Sequence, residues 1–287
     1  MNSNDYPALH RDAEDASTDA QSKFFRALAA SLICLLIAAL LSLADNRTAE
    51  IAIIQALTIV ASLSLTIYMA WVRPQRNWYG ARALAESVKT VTWRYMVKAE
   101  PFNKPDQLAL ELFGNSLQNI FKDNTTSVHI IAKSEGSQIT HFMNQVREKS
   151  LTERKDTYDK FRIKDQLTWY KNKAKFNKSR SNFWFSVSII AHLLALSCAI
   201  CKVAWPSWEF WPTDVFITAA GGAMAWLQTK RHQELSGSYS LAAHEISLVQ
   251  SRLGNIKTEV DFSDFVGDAE NAFSREHTQW RARLDIA

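Results

Sequence analysis

Apolar positions are gathered unevenly along this chain. They concentrate in four stretches, 27–44, 51–72, 183–201 and 215–227, and none of these contains Asp, Glu, Lys or Arg. A helix crosses a bilayer with about 20 predominantly apolar residues. The first three stretches meet that demand alone, and the fourth meets it when counted as 211–228. In hydrocarbon the backbone must satisfy its own hydrogen bonds, so each stretch is predicted to be a helix. The stretches form two close pairs with short polar links at 45–50 and 202–214. The pattern therefore predicts an all-α integral membrane protein: two transmembrane helical hairpins, with long cytoplasmic helices forming a bundle.

Outside these stretches the apolar period remains helical. Leu235, Tyr239, Ala242, Ile246, Val249, Leu253 and Ile256 recur at alternating spacings of four and three, a heptad seam. Ala81, Leu84, Val88, Val91 and Tyr95 repeat the rhythm after the first hairpin, and Leu9, Ala13, Ala16 and Ala20 repeat it before. The chain thus reads as one plan used twice, with a lead-in helix, a hairpin and a helix continuing out of the membrane. The first unit covers 1–150, with lead-in 6–23 and exit 74–100. The second covers 151–287, with lead-in 151–182 and exit 228–256. Between 102 and 150 the pattern weakens: a helix over 106–121, a turn at 123–127, a short strand at 128–132 and a helix over 137–149 are expected. At the end, 261–284 places Phe262, Val266, Ala269, Phe273, His277, Trp280 and Leu284 on one helical face.

The average composition, 47% hydrophobic and 22% charged, would suit a soluble domain. It is the segregation of charge that matters. Residues 73–180 hold 21 Lys and Arg against 11 Asp and Glu, whereas the two hairpin links hold only Arg47 and Lys202. Basic residues flanking the membrane ends mark the cytoplasmic side. Lys23, Arg26, Arg73, Arg76, Lys178, Arg180, Lys230 and Arg231 all fall on one side of the predicted topology. Both termini and the middle segment are expected in the cytoplasm, with a multi-pass anchor in the membrane. Trp71, Trp184, Trp205, Trp208, Trp211 and Trp226 sit at the predicted boundaries, where an amphipathic ring suits the headgroup layer. The first apolar stretch reads as an uncleaved anchor, because no basic segment of signal-peptide type precedes it.

Candidate chemistry is sparse. Gln55, Thr58, Ser62 and Thr66 share a face of the second apolar helix. Polar groups at membrane depth line a water-filled path or pack helix against helix. The hydroxyl residues suit packing, while the Gln55 amide demands several partners, which makes it the first pore or interface candidate. His192 is a further candidate for gating or proton relay, set against a simple bond to a neighbouring Ser or carbonyl. Thr218, Gly221, Gly222 and Ala225 form a small-residue face suited to close helix packing. Cys34, Cys198 and Cys201 lie at membrane depth without other ligands in register, so packing is expected rather than a metal site. No phosphate-binding loop, nucleophile elbow or zinc-protease motif occurs, so no catalytic residue, metal or cofactor is expected. The basic stretch at 147–180 is better matched to topology and anionic lipid than to nucleic acid.

Several phrases carry a family resemblance. Arg73-Pro-Gln-Arg-Asn-Trp-Tyr79, Arg82-Ala-Leu-Ala-Glu-Ser-Val-Lys-Thr90 with Trp93-Arg-Tyr95, Arg162-Ile-Lys-Asp-Gln166 with Trp169-Tyr170, and Phe265-Val-Gly-Asp-Ala-Glu270 with Ser274-Arg-Glu-His277 and Trp280 resemble the SLATT family. These are the SMODS- and SLOG-associated two-transmembrane effector domains of bacteria, here as a tandem pair. The resemblance implies a membrane effector of conflict or antiphage systems that oligomerises and forms a pore when a nucleotide-signalling sensor is triggered. Nothing in the chain looks like a cyclase or a SLOG fold, so that sensor is expected to be a separate protein. Three readings follow: a pore-forming effector, a non-conducting scaffold whose cytoplasmic bundle recruits a partner enzyme, and, last, a membrane enzyme.

Overall fold

A computed structural model describes residues 1–44, 48–125 and 130–284, with Thr125 and 274–284 described by backbone alone. Among these residues the chain is helical and has no strand. The helices are α1 (Ala8–Leu41), α2 (Ala49–Val72), α3 (Pro74–Met96), α4 (Asp106–Thr125), α5 (His141–Glu148), α6 (Leu151–Tyr158), α7 (Lys164–Ala204), α8 (Thr213–Lys230), α9 (His232–Arg252) and α10 (Glu259–Leu284). Between α6 and α7 the chain does not stop. A single wide π turn, Asp159–Ile163, joins them into one run, Leu151–Ala204.

Among the described residues, three helices are long and apolar enough to cross a membrane: α1, α2 and the α6–α7 run. The fourth expected span, α8, is diluted by Thr218, Gly221, Gly222 and Gln228 and carries Asp214 and Lys230 near its ends. Its 18 residues rise about 27 Å, close to the hydrocarbon thickness of a bilayer. Both hairpins leave most of their aliphatic side chains uncovered, among them Ile53, Leu57, Leu63, Ile190, Leu193 and Leu196. In water such a surface would be an aggregation hazard, whereas lipid tails cover it at no cost.

The second helix of each hairpin ends in the same local device. Arg73 follows α2 at φ 47° and Arg231 follows α8 at φ 51°, both left-handed. The second exit helix therefore does not continue from the membrane as its period suggests; it restarts at His232. In the first copy Pro74 opens α3, where its missing N–H costs nothing because the first-turn donors lack intrahelical partners anyway. Left-handed backbone costs a non-glycine residue about 1–2 kcal/mol, so surrounding contacts must hold both arginines there.

By contacts the chain forms two compact units, and each draws on both halves of the sequence. Unit 1 is Met1–Ser22, Pro74–Lys171 and Ser240–Ala287; unit 2 is Lys23–Arg73 and Asn172–Tyr239. Unit 1 is built on α3, which packs against α4, α5 and α10. Its fully buried side chains include Trp93, Met96, Phe102, Phe113, Met143, Tyr158 and Phe262. Unit 2 contains the hairpins.

The weak region at 102–150 differs from expectation in three places. The predicted turn at 123–127 is helical through Thr125, where the buried Asn124 amide donates to the Ile120 carbonyl at 2.7 Å. The predicted strand is irregular over Ile130, Ile131 and Ala132, while Val128 and His129 lie outside the described residues. A lone strand has no ladder partner. Here the side chain of Asp12 takes that place just downstream, accepting from the Lys133 and Ser134 amides at 3.2 and 2.8 Å. The expected helix at 137–149 shortens to His141–Glu148 because Thr140 caps it, accepting from the Met143 amide at 3.3 Å.

Candidate functional site

The first hairpin is zipped by small and polar residues. On α1, Ala20, Phe24, Ala27, Ser31 and Ala38 are buried at heptad spacing, with Cys34 half-buried on the same line. On α2 the facing positions are Gln55, Thr58, Ser62 and Leu65. The hydroxyls of Ser31 and Ser62 lie 2.9 Å apart, and Gln55 Nε2 donates to the Ala38 carbonyl at 3.0 Å. Thr58 and Thr66 turn inward on their own helix, donating to the Gln55 and Ser62 carbonyls at 2.8 and 3.0 Å. Thr66 is exposed, because a spacing of four twice in succession walks off a heptad face. Of the four polar residues on the predicted stripe, Gln55 and Ser62 meet α1, Thr58 lies between them, and Thr66 faces outward.

The second hairpin uses the same logic with different residues. On α7, Ser188, Ala191 and Ala195 are buried, and Ser188 Oγ donates to the Ala220 carbonyl of α8 at 3.3 Å. The α8 side of this contact is Ala220 and Ala223. Thr218, Gly221, Gly222 and Ala225 stand beside it. Gly221 is exposed, and a Cβ built on Gly221 or Gly222 would meet nothing within 4 Å. Thr218 bonds within its helix to the Asp214 carbonyl at 2.7 Å. His192 is exposed beside the packed face of α7, with Nδ1 2.8 Å from the Ser188 carbonyl one turn back.

The heptad seam points inward along its whole length. Tyr239, Ile246, Leu253 and Ile256 are buried, and Leu235, Ala242 and Val249 are half-buried. In unit 1, Gln250 Nε2 donates to Asp159 Oδ1 at 2.9 Å and Lys155 Nζ donates to the Ile256 carbonyl. In unit 2, Ser236 Oγ donates to the Ala174 carbonyl at 3.1 Å. On α10 the predicted face is buried at Phe262, Val266, Ala269 and Phe273, whereas the side chains of His277, Trp280 and Leu284 lie outside the described residues.

Sequence reasoning missed the charged core of unit 1. Glu270 is completely buried and accepts from Arg162 Nε at 2.8 Å, from Arg162 Nη2 at 2.6 Å and from the Tyr158 hydroxyl at 2.9 Å. The Arg162 guanidinium also lies 4.8 Å from the Phe273 ring centroid. Burial and the Glu270 carboxylate together push the Tyr158 hydroxyl far above its ordinary range. Trp93 packs edge-on to Tyr158 at 5.6 Å and donates to the Tyr6 hydroxyl at 3.2 Å. Two more buried arginines fasten the loops. Arg147 donates to the carbonyls of Tyr95, Phe102 and Lys104 at 2.7, 3.0 and 3.1 Å and pairs with Asp106 at 2.9 Å. Arg154 donates to the Val97 carbonyl at 2.7 Å and pairs with Glu259. Tyr158 and Arg162, one turn apart, and Glu270 next to Ala269 of the apolar face Phe262, Val266, Ala269 and Phe273 were the available signals.

His10 belongs to the same unit, ahead of the apolar stretch that begins at Ala27. It is buried, stacked on Tyr6 at 4.5 Å, with its Nδ1 unbonded and Glu14 3.9 Å away. Burial first, then the charges of Lys89, Arg82 and Arg162, push its pKa down to about 3 against the opposing pull of Glu86.

No curated protein and no solved structure matches the chain. Two family descriptions do: SMODS and SLOG-associating 2TM effector domain 3 over residues 7–155, and SMODS and SLOG-associating 2TM effector domain 1 over residues 158–280. With two apolar helical hairpins carried on polar helices and both halves matched, the chain is a membrane-associated effector of conflict systems and belongs to the SLATT family as a tandem pair.

Proposed function

We propose that this protein is an antiphage effector of the bacterial inner membrane that assembles as a homo-oligomer and permeabilises that membrane. The observation that carries the reading is the uncovered apolar surface of the hairpins: only 6% of the most apolar window of α2 is buried. One protomer has too few membrane helices to enclose a path, so several must contribute. The trigger would come from a separate nucleotide-signalling sensor. Both termini would lie in the cytoplasm, following the basic flanks. Gln55 and Thr58 are the first candidates for the path, reached once α2 turns away from α1.

The test is conductance of the purified full-length protein in planar bilayers. Gln55→Leu with Thr58→Val makes α2 more apolar, so it should insert normally yet conduct less. Cells overproducing the wild type should depolarise before growth stops. Membrane potential that holds while cells sicken, with silent bilayers, would refute the pore. A scaffold reading gains weight from one fact, that Gln55 and Ser62 are already bonded inside the protomer. On that reading the helical bundle recruits a partner enzyme.

A further inference from the structure

Unit 2 holds cations without carboxylates where α8 gives way to the polar α9. Lys230 is half-buried, its Nζ 3.2 Å from the Phe25 ring centroid and 5.1 Å from that of Trp226. Those two rings lie 5.9 Å apart, and Trp184 lies 6.0 Å from Trp226. Two residues on, His232 is buried with Nδ1 2.7 Å from Asn177 Oδ1, and its ring meets Phe176 at 6.4 Å. The Arg180 guanidinium lies 5.4 Å from that same Phe176 ring. His232 is held below its ordinary pKa by burial and then by the charges of Lys230 and Arg180.

Neither Lys230 nor Arg180 has an ion pair among the described residues, whereas the neighbouring Arg231 is paired with Glu234. The buried arginines of unit 1 are likewise matched by Asp106, Glu259 and Glu270. An ammonium against aromatic faces is stabilised on the ring side only. Its other side needs an anion or water. Tryptophans mark the headgroup depth of a bilayer, and the anion abundant at that depth is lipid phosphate.

We propose that Lys230 and Arg180, set on the Phe25–Trp226 and Phe176 rings beside the His232–Asn177 pair, bind the phosphate of an anionic membrane lipid. The Phe25 and Trp226 rings hold the Lys230 ammonium and the Phe176 ring holds the Arg180 guanidinium, while the His232–Asn177 bond ties α9 to α7. A bound phosphate cancels the positive field on His232, so lipid binding also changes the protonation of that imidazole. The site stands whether or not the protein conducts.

The full-length protein is placed in nanodiscs of phosphatidylcholine, alone or mixed with phosphatidylglycerol. Retained lipid is read by native mass spectrometry, and the His232 ring is titrated by NMR, assigned through His232→Gln. Wild type should retain phosphatidylglycerol preferentially, and its His232 pKa should rise in mixed discs. Lys230→Gln and Arg180→Gln should each weaken retention about fivefold, the worth of one basic residue near an anionic surface. Lys202→Gln, at the other end of α7, should change nothing, and Lys230→Arg should keep most of the effect. Equal retention by wild type and the Lys230→Gln/Arg180→Gln double variant would overturn the proposal. So would a His232 pKa in wild type that ignores phosphatidylglycerol, a readout independent of how the variants fold. If inorganic phosphate in phosphatidylcholine discs shifts His232 as far as phosphatidylglycerol does, the site takes soluble phosphate and the lipid assignment fails.

Discussion

Replacing Glu270 by leucine should be among the most damaging single changes in the molecule. The carboxylate is fully buried and receives three hydrogen bonds, two from Arg162 and one from Tyr158. Leucine keeps the volume but removes every acceptor. Arg162 is only 1% exposed, already has Nη1 without a partner, and cannot shed its charge to escape. Breaking a buried pair from one side costs about 3–5 kcal/mol, because the orphaned charge stays desolvated. Loss of the Tyr158 acceptor adds about 1–3 kcal/mol, and the two losses overlap because they share one site. A net of about 4 kcal/mol corresponds to roughly a thousandfold rise in the unfolded fraction. The decisive comparison adds Arg162→Met to Glu270→Leu. Replacing both members of a buried pair with apolar residues is often neutral or stabilising. Chemical unfolding in mild detergent, followed by tryptophan fluorescence and circular dichroism, measures all three proteins. A loss below about 1 kcal/mol for the single variant, or a double variant no better than the single, would refute the reasoning.

His10 gives unit 1 an acid-sensitive stability. Its folded pKa of about 3 lies below the ordinary 6.5, so the unfolded chain binds the extra proton. The contribution is complete above pH 6.5 and is lost at about 1.4 kcal/mol per pH unit as pH falls toward 3. His10→Phe, which keeps the stack on Tyr6, should flatten the stability profile between those limits by one proton, and an unchanged slope would remove His10 from the account. In the seam, Ile246→Asp buries an unpaired charge and should cost several kcal/mol, while the exposed Ser247→Asp should stay within about 0.5 kcal/mol. Thermal unfolding and cross-linking of both variants check this, and equal behaviour would discard the seam. For topology, single cysteines at Ser207 and Asn103, both exposed, are introduced after Cys34, Cys198 and Cys201 are replaced. Impermeant reagent on intact spheroplasts should label Ser207→Cys alone, and labelling only Asn103→Cys would invert the topology.

The hairpins were legible because charge is absent over whole membrane lengths, a signal that needs no partner information. The seam 235–256 was legible for a related reason, since a heptad repeats often enough to fix its own face. The break at Arg231 was not. Arginine carries no turn signal, and left-handed backbone is normally announced by glycine or asparagine. The charged core was hidden by distance. Glu270 reads as one more acid on the last helix, after Asp261, Asp264 and Asp268, and its partner Arg162 lies 108 positions earlier. Gln55 was visible as a polar group at membrane depth, but its acceptor is a backbone carbonyl at Ala38, which no side-chain pattern reveals.

The two units are fastened by contacts of different strength, and this bears on where the molecule can rearrange. Unit 1 is held by arginine–carboxylate pairs and arginine–carbonyl fans whose one-sided loss costs several kcal/mol. Within the hairpins of unit 2 the polar contacts between helices include the Ser31–Ser62 pair, Gln55 on the Ala38 carbonyl and Ser188 on the Ala220 carbonyl. Such interhelical bonds average about 0.6 kcal/mol in a membrane, because separated helices find other partners. Apolar packing adds little preference either, since lipid tails replace it at nearly equal free energy. A stimulus of a few kcal/mol is therefore enough to part α2 from α1, while the same stimulus leaves the Arg162–Glu270 core intact. Conduction through a path lined by Gln55 and Thr58 requires that separation, so cross-linking α1 to α2 through cysteines at Ser31 and Ser62 should abolish it and reduction should restore it. Full conductance in the cross-linked protein would show that the path runs elsewhere.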